Sequence, residues 1–389
     1  MNTRTTRAPG LVALMVAHCA GMVDLIALPV WIGTLVQHYR LDPQQAGALA
    51  TSFLAGAVLA SITLATRFQR LSPRWVATGG YAVSALCFAW LTQPLPYGAM
   101  VALHALGGLS AGLSLSATHG TIARSHNPHR RFALVGVALG VFAVAFMAVV
   151  PGWIAMHGGP RLFAVFSAVM ALAAVACALA FPAPELARPQ AGEPGHPTAN
   201  TRIPAPVWFG IIGVSAMALV QSMTFSFLEL VGHGRGYSAA QVTGVLVVLG
   251  LVNLLPAGLA ALLQQRWPAR RVLIAGPLLQ ALLAAVIMGA PHFMAYALAA
   301  SVFAAVMIFT HTFAFGLMAQ LEPSGRAMAA TPAMLMVGAA LGPVLGGTLV
   351  KAAGYTSLGV AALLIGAVAL ACMSRLPTTP SSPLTPETA

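Results

Sequence analysis

Long apolar runs alternate with short polar breaks along almost the whole chain. A bilayer-spanning helix needs about 20 mostly apolar residues. Twelve runs meet that length: 11–36, 44–66, 75–93, 97–123, 132–156, 161–181, 207–231, 239–264, 271–290, 292–320, 328–350 and 357–375. One break differs from the rest. Residues 182–206 are rich in proline, carry Glu185, Arg188, Glu193 and Arg202, and have no apolar period, so they read as a flexible linker. The pattern predicts an all-α polytopic membrane protein with twelve transmembrane helices in two pseudo-symmetric six-helix bundles. The N-terminal bundle covers 1–181, the cytoplasmic linker 182–206, and the C-terminal bundle with a short cytoplasmic tail 207–389.

Composition agrees with this reading. Of 389 residues, 59% are hydrophobic and 7% charged, with a mean hydropathy of +0.86. A soluble domain carries about 25% charged residues, so a soluble protein, a disordered chain and a disulfide scaffold are excluded. The net charge of +12 comes from 18 arginines and one lysine, Lys351, against 7 acidic residues. These basic residues stand singly or in pairs between apolar runs, which is the distribution of membrane topology and not of a nucleic-acid binder. With the N-terminus inside, 15 basic residues fall on inner segments, and Arg40, Arg161, Arg235 and Lys351 fall outside. That split predicts both termini in the cytoplasm of a multi-pass protein of the bacterial inner membrane. The first run is too long for a signal-peptide core and reads as a helix. Cys19, Cys87, Cys177 and Cys372 all lie in apolar runs without a CxxC pair, so neither a disulfide nor a metal site is expected.

The chain repeats itself. Gln69-Arg70-Leu71-Ser72-Pro73-Arg74 after the second helix matches Gln265-Arg266-Trp267-Pro268-Ala269-Arg270 after the eighth, at an offset of 196. Val135-Gly136-Val137-Ala138-Leu139-Gly140 matches Val337-Gly338-Ala339-Ala340-Leu341-Gly342 at an offset of 202. Two parallel six-helix repeats form a transporter architecture.

On these residues the chain resembles the major facilitator superfamily. The loop signature of that family, Gly-x-x-x-Asp-Arg-x-Gly-x-Arg-Arg, is similar to the stretch around Gln69, Arg70 and Arg74, with Gln69 at the Asp position. The resemblance implies that this loop and its repeat (Gln265, Arg266, Arg270) brace an inner gate. The Arg-x-x-Gln-Gly-x-x-Ala pattern of the family's fourth helix resembles His104-Ala105-Leu106-Gly107-Gly108-Leu109-Ser110-Ala111, with His104 at the Arg position. Gly342-Pro343-Val344-Leu345-Gly346-Gly347 is similar to the antiporter run of the family's fifth helix but stands in the eleventh.

Candidate chemistry is sparse. Asp24 and Glu229 are the two acids inside apolar runs. An ionised carboxylate at mid-bilayer costs on the order of 3 kcal/mol, so such residues usually face a cavity or a partner. Asp24 reads as a proton-coupling carboxylate, or alternatively as a packing residue. Glu229, nearer the outer end of its helix, reads as a second such group or as a rim ion pair with Arg235. The family's arrangement implies that helices one and four face each other, which would let His104 titrate with Asp24 in place of an Asp–Arg pair. Gln221, Asn253 and His311 are cavity-polar candidates or interhelical glue. His18 and His119 read mainly as packing histidines. Gly108 with Gly112, and Gly338 with Gly342, give small faces for close helix approach. Pro151, Pro256 and Pro343 are candidate kinks.

There is no phosphate-binding loop, nucleophile elbow or catalytic cluster, so neither an enzyme nor a cofactor is expected. The expected function is secondary active transport of a small organic solute, proton-coupled and directed outward, by a monomer in the lipid bilayer. The alternatives are uptake by the same fold, or a sensor or scaffold that kept the fold without transport.

Overall fold

A computed structural model describes residues 8–65, 71–125, 127–183, 204–263, 266–322 and 331–377. All elements among these residues are helices. Each predicted apolar run forms one: α1 Ala8–Gln37, α2 Pro43–Ala65, α3 Pro73–Trp90, α4 Tyr97–Ala123, α5 Pro128–His157 and α6 Pro160–Ala180. The second set is α7 Ala205–Gly234, α8 Ala239–Val252 continued by Pro256–Leu263, α9 Ala269–Gly289, α10 Phe293–Leu321, α11 Thr331–Ala353 and α12 Thr356–Ser374. Eleven of these are long and apolar enough to span a membrane; α3, at 18 residues with Arg74 in its first turn, is the shortest and completes the dozen.

Three helices are broken. The α8 break at 253–255 precedes Pro256, as expected of a residue that cannot donate its amide. The other expected kinks do not interrupt: Pro151 and Pro343 stay inside α5 and α11. Two breaks have no proline at the join. α1 divides at Met22 into Ala8–Gly21 and Val23–Gln37. Gly21 is a poor helix former, and the Tyr81 hydroxyl of α3 donates to the Ala17 carbonyl at 2.5 Å, just before the join. α7 divides at Phe227 into Ala205–Ser226 and Leu228–Gly234. Here the Tyr296 hydroxyl of α10 donates to the Leu228 carbonyl at 2.9 Å. In both cases a tyrosine from another helix competes for backbone at the join.

The sequence repeat has structural counterparts. Asp42 with Gln45 and Ser238 with Gln241 form reciprocal side chain–backbone caps at the starts of α2 and α8. Tyr39 reaches the Leu91 carbonyl past the end of α3 at 3.3 Å, and Tyr237 reaches the Pro291 carbonyl past the end of α9 at 3.0 Å. The small-residue faces also pack as expected: Gly108 and Gly112 lie on the backbone of Phe53 and Ala57, and Gly338 and Gly342 lie on α7 between Ser215 and Met223.

Twelve alternating passes put both chain ends at one face, here called the terminal face. The two sets of six helices meet mainly through α2 with α11, the second piece of α1 with α7, and α5 with α8. Between α2 and α11 the contacts lie from mid-depth to the opposite face. The Thr51 hydroxyl donates to the Ala340 carbonyl at 2.7 Å, and Gly47 abuts Pro343. Gly347 abuts Pro43, and Lys351 Nζ donates to Asp42 Oδ2 at 2.9 Å and Gln44 Oε1 at 3.3 Å. Glycine is required at 47 and 347, where a Cβ would collide with facing backbone. The first piece of α1 instead packs on α4, α5 and α6 of its own set. Among the described residues, the halves are closed against each other at the opposite face.

Candidate functional site

Buried polar atoms in native proteins almost always have hydrogen-bond partners, so an orphan asks for an explanation. Asp24 Oδ1, His104 Nε2, Glu229 Oε2, Asn253 Oδ1 and His311 Nδ1 are all buried without a partner. Of the eight polar residues named from the apolar runs, five therefore hold an orphan atom, while Gln221, His18 and His119 are bonded.

Asp24 lies two residues past the α1 break, in the first turn of the second piece, and is 3% exposed. Its neighbours Leu25 and Ile26 are half-buried, so the carboxylate is the more secluded part of this turn. It stands on the piece of α1 that meets α7, and Tyr81 of its own half, whose hydroxyl packs against Gly21, is an electrostatic neighbour.

Glu229 likewise lies two residues past a break, but at the seam between the halves. Its carboxylate rests on Gly33 of α1, where a Cβ would stand 3.0 Å away. His233 Nε2 is 3.7 Å from Oε1. The expected rim pair with Arg235 does not form, because Arg235 Nη1 donates to the Ile287 carbonyl at 2.8 Å.

His104 and Asp24 are not brought together. The His104 ring is stacked on Trp31 with centroids 5.5 Å apart, edges onto Phe163, and places Nδ1 2.7 Å from the Met100 carbonyl. Trp31 stands two helical turns beyond Asp24, so the stacking holds His104 toward the opposite face. The facing of helices one and four brings a different pair together: His18 Nδ1 lies 3.0 Å from His119 Nε2. Tyr81, with Thr118 beside its hydroxyl, bonds the Ala17 carbonyl next to His18 and has Asp24 as an electrostatic neighbour. Tyr81 escaped notice in the sequence because a single tyrosine in a short helix carries no signal. The pairing of two histidines 101 residues apart likewise requires the fold.

Gln221 is glue: it accepts from Gln280 Nε2 at 3.1 Å, and Gln280 also bonds the Met217 carbonyl. Asn253 sits in the α8 break, beside the point where Leu254 touches Gly140 of α5 at the seam. His311 lies on the neighbouring α10, its ring 5.0 Å from Phe315. Unwound backbone and orphan polar groups at mid-depth between halves are the features of transporter binding sites. Of the expected gate residues, Gln69, Arg70 and Gln265 lie outside the described residues. Arg74 donates to the Ala178 carbonyl and lies over Trp75, while Arg266 and Arg270 flank the start of α9. No group of three or more histidine, cysteine or acidic side chains suited to a metal occurs among the described residues.

The sequence profile of the Major Facilitator Superfamily matches residues 13–324. No curated protein matches the chain in sequence. Solved structures match over nearly the full length. A D-xylose–proton symporter superposes with a TM-score of 0.72 at 14% identity, covering 97% of this chain and 98% of its own. The nucleoside transporter NupG gives 0.70 at 16%, covering 95% and 99%. A bacterial homolog of the human lysosomal transporter Spinster, inward-facing and unoccupied, gives 0.69 at 13%, covering 96% and 95%.

Proposed function

The chain belongs to the Major Facilitator Superfamily, and on that footing we propose that it exports a small organic solute in exchange for protons, with Asp24 as the proton-carrying group. The observation that carries this reading is Asp24 itself: an acid at mid-depth, secluded, with one oxygen unpartnered, at a break in the first helix of a two-half fold. An ionised carboxylate there is costly, so the site favours proton binding. Moving one charge through 100 mV supplies about 2.3 kcal/mol, enough to drive uphill exchange of a solute. Glu229 at the seam is a second proton site whose burial depends on closure. Asn253 and His311 line the solute site, and His104 shapes its opposite-face end through Trp31.

The arginine distribution supports a terminal face in the cytoplasm of the bacterial inner membrane, which would make the closed opposite face the outer one. The functional units are 1–181 and 207–389 joined by 182–206, acting as a monomer. Few charges at mid-depth suit a neutral, amphipathic or weakly cationic solute. The sugar, nucleoside and peptide transporters among the structural relatives are consistent with this class.

The test compares metabolite pools of cells with and without the protein, then follows each enriched compound into inverted vesicles. Acidifying the vesicle interior should drive accumulation by the wild type and not by Asp24→Asn. Full pH-gradient dependence in Asp24→Asn overturns the proton role. Accumulation only in right-side-out vesicles overturns the direction.

A further inference from the structure

We propose that His18 and His119 form the relay through which Asp24 exchanges protons with the terminal face. This rests on the reading of Asp24 as the coupling carboxylate and adds the route that reading lacks. Asp24 is 3% exposed, so its proton needs a path. His18 lies six residues before it on α1, about 9 Å along a helix axis, in the direction of the terminal face. His119 approaches from α4, four residues from the end of that helix at the same face.

The geometry is that of a proton wire. His18 Nδ1 and His119 Nε2 are 3.0 Å apart, with ring centroids at 5.1 Å. With the shared hydrogen on His119 Nε2, a proton taken up at His119 Nδ1 makes that ring cationic. The Nε2 proton then crosses to His18 Nδ1, leaving His119 neutral. The proton on His18 Nε2 passes to the Tyr81 oxygen as Tyr81 gives its own hydroxyl proton to the Asp24 carboxylate, leaving His18 and Tyr81 neutral. Only N–H and O–H bonds form and break, and charge is conserved at each transfer. The Tyr81 hydroxyl is bonded to the Ala17 carbonyl, packs on Gly21 and has Asp24 as an electrostatic neighbour.

The surroundings suit transit better than storage. The His119 ring is flanked by Phe132 of α5 at 5.6 Å. Tyr81 of α3, bonded to the carbonyl next to His18, has Cys177 of α6 and Cys19 and Asp24 of α1 as its titratable neighbours. Arg124 and Arg131, at the terminal-face ends of α4 and α5, add positive charge there. Neither histidine is in an ion pair with a carboxylate among the described residues, so a cationic imidazole there is not held by one and the proton passes on.

The experiment uses the full chain in lipid nanodiscs and needs no solute. A caged proton is photolysed, and the carboxylic C=O band of Asp24 is followed by time-resolved infrared spectroscopy, the band being assigned by its loss in Asp24→Asn. His119→Ala and His18→Ala should slow its appearance at least about tenfold, within the range of positioned acid–base groups, without changing its final amplitude. Added imidazole should restore the rate in His119→Ala, and His119→Gln, which keeps a hydrogen bond but cannot relay, should stay slow. Wild-type rates in both alanine variants overturn the relay. A slow rate that imidazole does not restore means a packing role and also overturns it. If Asp24→Asn removes no band, the coupling role of Asp24 fails instead. Should an alanine variant fail to fold, a wild-type rate that is equal in H2O and D2O overturns the relay.

Discussion

The two halves carry their acids at non-equivalent places. At an offset of 197 residues the counterpart of Asp24 in α1 is Gln221 in α7, and at the loop-repeat offset of 196 the counterpart of Glu229 in α7 is Gly33 in α1. Gln221 is tied to Gln280, whereas Asp24 keeps an orphan oxygen. Glu229 does not merely correspond to Gly33 but rests on it. The C-terminal half thus presses its acid against the other half where the two close, while the acid of the N-terminal half stands on the piece of α1 that meets α7, with Tyr81 of its own half as electrostatic neighbour. The Glu229 carboxylate is covered by Gly33 only where the halves meet, so its burial and the closure go together.

Enlarging the glycine on each side should break this comparison in different ways, and these are the largest effects expected. Gly33→Leu pushes into the Glu229 carboxylate, so it should hold the opposite face open. In a cysteine-free background, a cysteine at Gln44 should then react with a membrane-impermeant reagent at least tenfold faster, and transport should fall in step. Gly21→Leu instead meets Tyr81 and Leu115 within one half. Overpacking of that kind costs about 1–3 kcal/mol, so it should lower the melting temperature with little change at Gln44. If both variants act on the same observable, the two sites do not differ as described.

Charge removal is the next effect in size. Glu229→Gln keeps the shape and removes the buried charge, and should shift the population toward the closed opposite face severalfold. Spin-label distances between the opposite-face ends of α2 and α11 would report this. Asp24→Asn should leave those distances nearly unchanged while abolishing proton coupling. Tyr81→Phe and Tyr296→Phe should each cost about 1 kcal/mol for a lost hydrogen bond to a buried carbonyl, seen as comparable drops in melting temperature.

Most of this fold was legible in the apolar pattern, because a bilayer forces each spanning segment to satisfy its own backbone. Run length and the arginine distribution then fix the number of passes. The breaks at Met22 and Phe227 were not legible. They depend on Tyr81 and Tyr296 arriving from helices distant in sequence, and no proline marks them. The Asp24–His104 pairing came from helix adjacency alone. Adjacency was sound for α1 and α4, but depth decides which residues meet, and depth pairs His18 with His119. Glu229 was read against its sequence neighbour Arg235, which turned out to serve the Ile287 carbonyl; the partner that matters, Gly33, carries no side-chain signal at all.

The smallest effect tests closure without touching either acid. Lys351 and Asp42 join α11 to α2 at the opposite face, and the ammonium beside Asp42, together with the Gln45 amide, holds the Asp42 carboxyl below its usual range. A depressed carboxylate contributes its stabilisation above its ordinary pKa, about 3.9, and loses it as pH falls through the lowered value. The latch is therefore complete at neutral pH and released only in strong acid, outside the range in which imidazoles titrate. The pair is half-exposed, so salt screens it, and exposed pairs contribute about 0.2–1 kcal/mol. Lys351→Met should accordingly raise labelling at Gln44 only about twofold at low salt and not at all at high salt. It should leave the Asp24 infrared band unmoved, since the latch lies at the opposite face and Asp24 at mid-depth. Were Lys351→Met to alter the proton kinetics of Asp24 as strongly as His119→Ala does, Asp24 would not be insulated from closure, and the distinction between the two acids would collapse.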